Sequence, residues 1–172
     1  EDLATNTLLM SALKDQLRLD DIGLRIRPVD GQGYVSVESD SMIIEDSASE
    51  AVQKAVETIG MQSGPTLVYL ANEIRAAESS DSNTRYSMYS IVAGLSFDRK
   101  SPLGPFLLRD GSPVPPLNDN EIILSDWLMK DLQVSEGDLV EARWHEVGSH
   151  GDLPETRRRF TVRGILKADD PV

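Results

Sequence analysis

The stretch "NDNEIILSDWLMKDLQVSEGDLVEARW", Asn118–Trp144, decides how this chain is read. Glu121–Leu124 is a short apolar run that predicts a strand. Ser125 or Asp126 follows at the position of a helix N-cap, and the helix is expected to end near Leu132 with Trp127, Leu128 and Leu132 facing inward. Gly137-Asp138 then signals a turn, and Leu139–Glu146 alternates as a second strand. No residue of this segment forms a recognisable catalytic motif, yet its order of strand, capped helix, turn and strand is the most specific pattern in the chain.

The pattern continues downstream. A polar loop, "VGSHGDLPE", returns the chain as "TRRRFTVRGIL", Thr156–Leu166. Phe160 and Val162 share one face of that strand, and Val140, Ala142 and Trp144 share one face of its partner. These two sets are expected to meet in the core. Arg157, Arg159 and Arg163 lie opposite, where Glu141 is placed to pair with one of them across the strands.

Upstream, Leu9, Leu13 and Leu17, with Leu8 and Ala12, make a helical stripe that Gly23 should stop, although Thr7–Met10 also reads as the start of a strand. "LRIRPV", "YVSVES" and "SMIIED" read as three strands of a meander, with "DGQG" as one turn. "DSASEAVQKAVETIG" is the clearest helix. Ser47 and Glu50 have capping-box spacing; Ala48, Ala51, Val52, Ala55, Val56 and Ile59 form the expected buried stripe, and Gly60 suits the position after the end. "PTLVYLANEIRA" and "TRYSMYSIVAGL" predict two long strands joined by the polar link Ala77–Asn83. The Pro- and Gly-rich stretch from Ser96 to Asn120 is expected to be an irregular surface excursion.

These elements predict an α+β fold of mixed, mainly antiparallel sheets with a few short helices, in two small subdomains. Residues 1–95 are expected to form the first, 96–119 a connecting loop, and 120–172 a strand-helix-hairpin segment.

The 172 residues suffice to bury a core without covalent staples. A formal net charge of -12 opposes binding to nucleic acid or an anionic membrane surface and favours solubility. The chain has no cysteine, which removes disulfides, thiolate metal sites and cysteine catalysis and favours an extracytoplasmic location. No apolar run reaches membrane-spanning length. The chain opens on Glu1 without a signal peptide and closes on "KADDPV", so it is expected to be a fragment of a longer one.

The candidate chemical groups each have a plainer reading. His145 and His150, in "HEVGSH", stand five apart between two predicted strands, whereas a zinc-protease helix needs a spacing of four. Ser149, His150 and Asp152 are too close along one loop to orient one another as a triad, and no G-x-S-x-G elbow is present. The carboxylates Asp20, Asp21, Asp40, Glu45, Asp46, Asp119, Glu121, Asp131 and Asp152 fit no calcium loop and read as a solvated acidic surface. "TRRRFTVR" reads as an amphipathic strand rather than a nucleic-acid patch, and the glycines of "DGQG" and "SPLG" as turn residues. No residue is therefore assigned a catalytic, metal-binding or cofactor-binding role, and no cofactor is expected.

The ordered block Asn120–Leu166 resembles the closing half of the extracytoplasmic domain in FtsX/MacB-like permeases of ABC transporters. The matching positions are Glu121, Ile122, Ile123, Leu124, Leu132, Gly137, Asp138, Val140, Phe160, Val162, Gly164 and Ile165. "LRLDDIGLRIR", "ESDSMIIED", "LVYLANEI" and "RYSMYSIVAGL" are similar to a subgroup of these permeases with an enlarged domain. The resemblance implies a noncatalytic domain at the periplasmic or extracellular face of the cytoplasmic membrane. Its implied partners are its own flanking transmembrane helices and a cytoplasmic ABC ATPase, with a periplasmic protein or lipoprotein as a further one. The implied role is to couple ATP-driven motion to export, lipoprotein handling or partner regulation. A free-standing periplasmic ligand-binding or adaptor module is the alternative, and it predicts an apolar ligand pocket.

Overall fold

A computed structural model describes residues 7–8, 11–14, 16–41, 43–77, 85–97, 102–146 and 152–167. The fold is α+β, as expected, with two mostly antiparallel sheets. The chain divides into two compact units, Glu1–Ala55 and Val56–Val172. The boundary falls there rather than after residue 95 because the strands on either side of the 96–119 loop belong to one sheet.

In the first unit, residues 7–8 and 11–14 are helical, and a 310 turn spans Leu19–Ile22. Gly23 ends that turn at φ 69°, a left-handed backbone that glycine adopts without a Cβ penalty. Leu8, Leu13 and Leu17 of the anticipated helical stripe are exposed; Leu9 lies outside the described residues. Strands β1 (Leu24–Val29) and β2 (Tyr34–Ser39) form an antiparallel hairpin running from Leu24 opposite Ser39 to Val29 opposite Tyr34.

The third strand of the meander does not form at residues 41 and 43–45. Instead, the Asp40 amide donates to the Gly23 carbonyl at 2.9 Å as the last rung of the β1–β2 ladder, and the Ser41 amide, donating to the Ser39 hydroxyl at 3.0 Å, turns the chain out of it. Helix α1 (Asp46–Thr58) follows. It begins one residue before Ser47, so Ser47 sits inside the first turn rather than at the N-cap; the Ser49 amide reaches the Glu45 carbonyl. None of its residues is fully buried: Ala48, Val52 and Val56 are half-buried, while Ala51 and Ala55, with Ile59 beyond its end, are exposed. Gly60 takes the expected left-handed conformation, at φ 73°.

The second unit is built on a five-stranded sheet. It contains β3 (Thr66–Ala76), β4 (Tyr86–Leu95), β5 (Glu121–Ser125), β6 (Leu139–His145) and β7 (Glu155–Leu166), in the order β4-β3-β6-β7-β5. Every pairing is antiparallel except β5 with β7. Helix α2 (Asp126–Leu132) packs against β4, β5 and β7. The Ser125 hydroxyl caps it by accepting from the Leu128 amide at 3.2 Å. Leu128 and Leu132, one helical turn apart, are buried, but Trp127 is 66% exposed, contrary to expectation. A step of one residue rotates the helix by about 100°, which carries Trp127 away from the face shared by Leu128 and Leu132.

The core gathers Ala71, Ile74, Leu124, Leu128, Leu132, Val134, Val140, Ala142 and Val162, with Phe160 and Trp144 packed at its margin. The two predicted apolar faces of the β6–β7 hairpin do meet it. Ala71 and Ile74 are both buried although three residues apart, which a regular strand forbids. The β3–β4 pairing is interrupted between Ala71 opposite Ser90 and Glu73 opposite Met88, where Tyr89 takes the left-handed φ of 57°. Such a backbone costs a non-glycine residue on the order of 1 kcal/mol. The turn after α2 is closed by the Asp138 carboxylate, which accepts from the Ser135 amide at 2.7 Å, while Gly137 holds φ 93°. The described residues between Ser96 and Asn120 are irregular apart from isolated bridges, of which Leu108 with Leu166 ties the excursion to β7.

Candidate functional site

The most organised polar surface in the second unit is a charge lattice across β3, β6 and β7, on the face opposite the core. Two strands carry the same short pattern, Glu-x-Arg: Glu73-Ile74-Arg75 on β3 and Glu141-Ala142-Arg143 on β6. Antiparallel pairing makes the pattern complementary to itself. It sets Glu73 opposite Arg143 and Arg75 opposite Glu141, while Ile74 and Ala142 between them turn into the core. Strand β7 adds Arg157 opposite Arg143 and Arg159 opposite Glu141. The lattice therefore has two rows, Glu73–Arg143–Arg157 and Arg75–Glu141–Arg159.

Glu141 is the centre of this lattice, with a side chain 7% exposed. It accepts from Arg75 at 2.5 Å, Arg143 at 3.1 Å and Arg159 at 3.5 Å. Burial of a carboxylate is tolerated because three guanidiniums replace the water it loses. Glu73 lies 3.5 Å from Arg75 and 3.7 Å from Arg143 without a hydrogen bond to its Oε1. Arg158 projects to the other side of β7, where its guanidinium carbon stands 5.7 Å from the Phe160 ring centroid. A cavity of about 240 Å³ is lined by Glu141, Arg157, Arg158 and Arg159.

Elsewhere the expected candidates do not converge. His145 is exposed at the end of β6, where its carbonyl accepts from the Tyr69 hydroxyl; Ser149 and His150 lie outside the described residues. Asp152, Asp119 and Asp131 are exposed. Asp20 and Asp21 belong to the 310 turn, Asp40 pairs with Arg25 at 2.7 Å, and Glu45 and Asp46 stand at the start of α1. Glu121 accepts from the Asn118 amide at 2.9 Å and lies 3.8 Å from Arg163. Among the described residues, no group of three or more His, Asp or Glu side chains could hold a metal ion. No described helix is long and apolar enough to cross a membrane.

Several carboxyls away from the lattice titrate below their ordinary range. Hydrogen bonding from Lys130 lowers Asp126, with help from the Lys130 and Arg109 charges. The Ser112 hydroxyl, then its amide, lowers Asp110. In the first unit the Arg27 hydrogen bond lowers Glu38, and Glu38 in turn raises Arg27. Each is a local structural pairing.

The sequence foresaw that Glu141 would meet a β7 arginine, and it meets Arg159. Glu73, Arg75 and Arg143 went unnoticed. Their signal was the repeated Glu-x-Arg in two strands of alternating pattern, which acquires meaning once those strands are adjacent and antiparallel. No family model matches the chain, and no curated protein matches its sequence.

Proposed function

We propose that this chain is a noncatalytic extracytoplasmic domain of an FtsX/MacB-like ABC transporter permease, which couples ATP-driven motion to export, lipoprotein handling or regulation of a partner. The observation that carries the reading is the ordered block Glu121–Leu166. Its strand, capped helix, Gly-Asp turn and hairpin follow the sequence of elements that the resemblance implies. Leu124, Leu128, Leu132, Val134, Val140, Ala142 and Val162 from this block supply most of the buried core. A domain that transmits motion needs such a packed body, because rigid elements move as units while loosely packed ones absorb the displacement.

The test uses the intact protein in its own cells, with a photo-reactive residue in place of the exposed Trp127. Membrane fractionation and affinity capture should recover the intact protein in the membrane together with an ABC ATPase. Crosslinking should report neighbours on the extracytoplasmic side. Recovery in the soluble fraction, without an ATPase, defeats the reading and leaves the free-standing periplasmic module in its place.

A further inference from the structure

We propose that the arginine-rich end of the lattice, at β7, is a binding site for a phosphate group. The first reason is charge stoichiometry. Two carboxylates, Glu73 and Glu141, face four guanidiniums, those of Arg75, Arg143, Arg157 and Arg159. The carboxylates engage Arg75, Arg143 and Arg159, and among the described residues no carboxylate pairs with Arg157. Arg157 also stands directly across the strands from Arg143, a like-charge pairing that weakens a sheet unless an anion screens it. The rows thus carry two positive charges in excess.

The second reason is shape. The cavity of about 240 Å³ opens where that excess sits, lined by Arg157 and Arg159 beside Glu141, with Arg158, whose guanidinium lies on the other side of β7, completing its wall. Every cation there is arginine, whose planar fork of donors fits the paired oxygens of a phosphate. A phosphate monoester dianion matches the excess of two charges; a carboxylate would leave one uncompensated. The setting narrows the ligand further. The whole chain has a net charge of -12, so a long polyanion would be repelled by the surrounding surface, whereas a single phosphate group fits inside one cationic spot.

The site stands on these contacts alone and is independent of the transporter reading, so either can fail without the other. The test is a titration of the purified chain with sodium phosphate at constant ionic strength, followed by NMR of the arginine Nε–H groups and by calorimetry. Saturable binding with a Kd below about 1 mM is expected. Arg157→Gln and Arg159→Gln should each weaken it about tenfold or more, the loss of a charge-assisted hydrogen bond. Arg157→Lys should also weaken it, since the charge stays but the fork is lost. Arg109→Gln, outside the cavity, should leave it unchanged. Circular dichroism confirms that each variant is folded, and Arg157→Lys or Arg159→Lys, each of which keeps the lattice charge, replaces a glutamine variant that is not.

A parallel arm uses phosphatidylcholine vesicles with and without phosphatidic acid. Binding only to the vesicles that contain phosphatidic acid assigns the phosphate to a lipid headgroup, and binding to inorganic phosphate assigns it to a free small molecule. Absence of saturable binding in both arms, equal affinity in Arg157→Gln, or acetate bound as tightly as phosphate overturns the proposal.

Discussion

Replacement of Glu141 by glutamine tests the charge lattice most directly. Glutamine keeps the size and one carbonyl acceptor but removes the charge and turns an NH2 group toward donors. Loss of one partner from a buried ion pair costs about 3–5 kcal/mol, because the remaining charge is left uncompensated. The Glu141 side chain is 7% exposed, but those of Arg75 and Arg143 are 29% and 23% exposed and that of Arg159 is 65% exposed, so water partly re-solvates them. Screening on that scale reduces the expected loss to about 2–3 kcal/mol. Urea unfolding followed by tryptophan fluorescence is a suitable assay, since Trp127 and Trp144 both lie in the second unit and report on it alone. With a slope near 2 kcal/mol per molar urea, the midpoint should fall by about 1–1.5 M at unchanged slope. Glu136→Gln is the control: Glu136 pairs with Arg163 at 3.3 Å but is 59% exposed, and its loss should cost under about 0.5 kcal/mol. A double-mutant cycle should give a larger coupling for Glu141 with Arg75 than with Arg159. The reasoning fails if Glu141→Gln shifts the midpoint no more than Glu136→Gln does.

Three further outcomes are expected. Leu132→Ala, at a core position 1% exposed, should destabilise the second unit by about 3 kcal/mol in the same urea assay. Gln133→Gly should stabilise it by roughly 0.5–1 kcal/mol, because Gln133 ends α2 in a left-handed conformation at φ 51° that glycine adopts without strain. Asp126 titrates below the ordinary carboxylate range, so its contribution is complete above that range and is lost as pH falls through the lowered value. Asp126→Asn should flatten that acid limb in urea midpoints measured against pH, with little change at neutral pH beyond the lost Lys130 contact.

The elements that local signals specify were legible before the tertiary structure. Ser125 had a hydroxyl at an N-cap position, Gly137-Asp138 had a turn's backbone and side-chain requirements, and the β6–β7 hairpin had a two-residue alternation on both strands. Each depends on neighbours within a few residues. Failures came where a third body decides. "SMIIED" has strand composition, but the Ser39 hydroxyl takes the Ser41 amide and diverts the chain. Trp127 is apolar, yet helix phase alone sets its face, and the short apolar run around it did not reveal that phase.

The sequence by itself determined which residues alternate, where helices are capped and where the backbone turns, because those properties arise from side-chain period and local hydrogen bonding. Tertiary structure decided the strand order β4-β3-β6-β7-β5, which unites strands on both sides of the 96–119 loop. It thereby decided the lattice as well. Glu73 and Arg143 are seventy residues apart along the chain and become partners only when β3 lies beside β6. Their pairing depends on a register fixed by Ile74 and Ala142 in the core. The burial of those apolar side chains, rather than the attraction of the charges, selects that register, since slipping it by one residue would turn the apolar face outward.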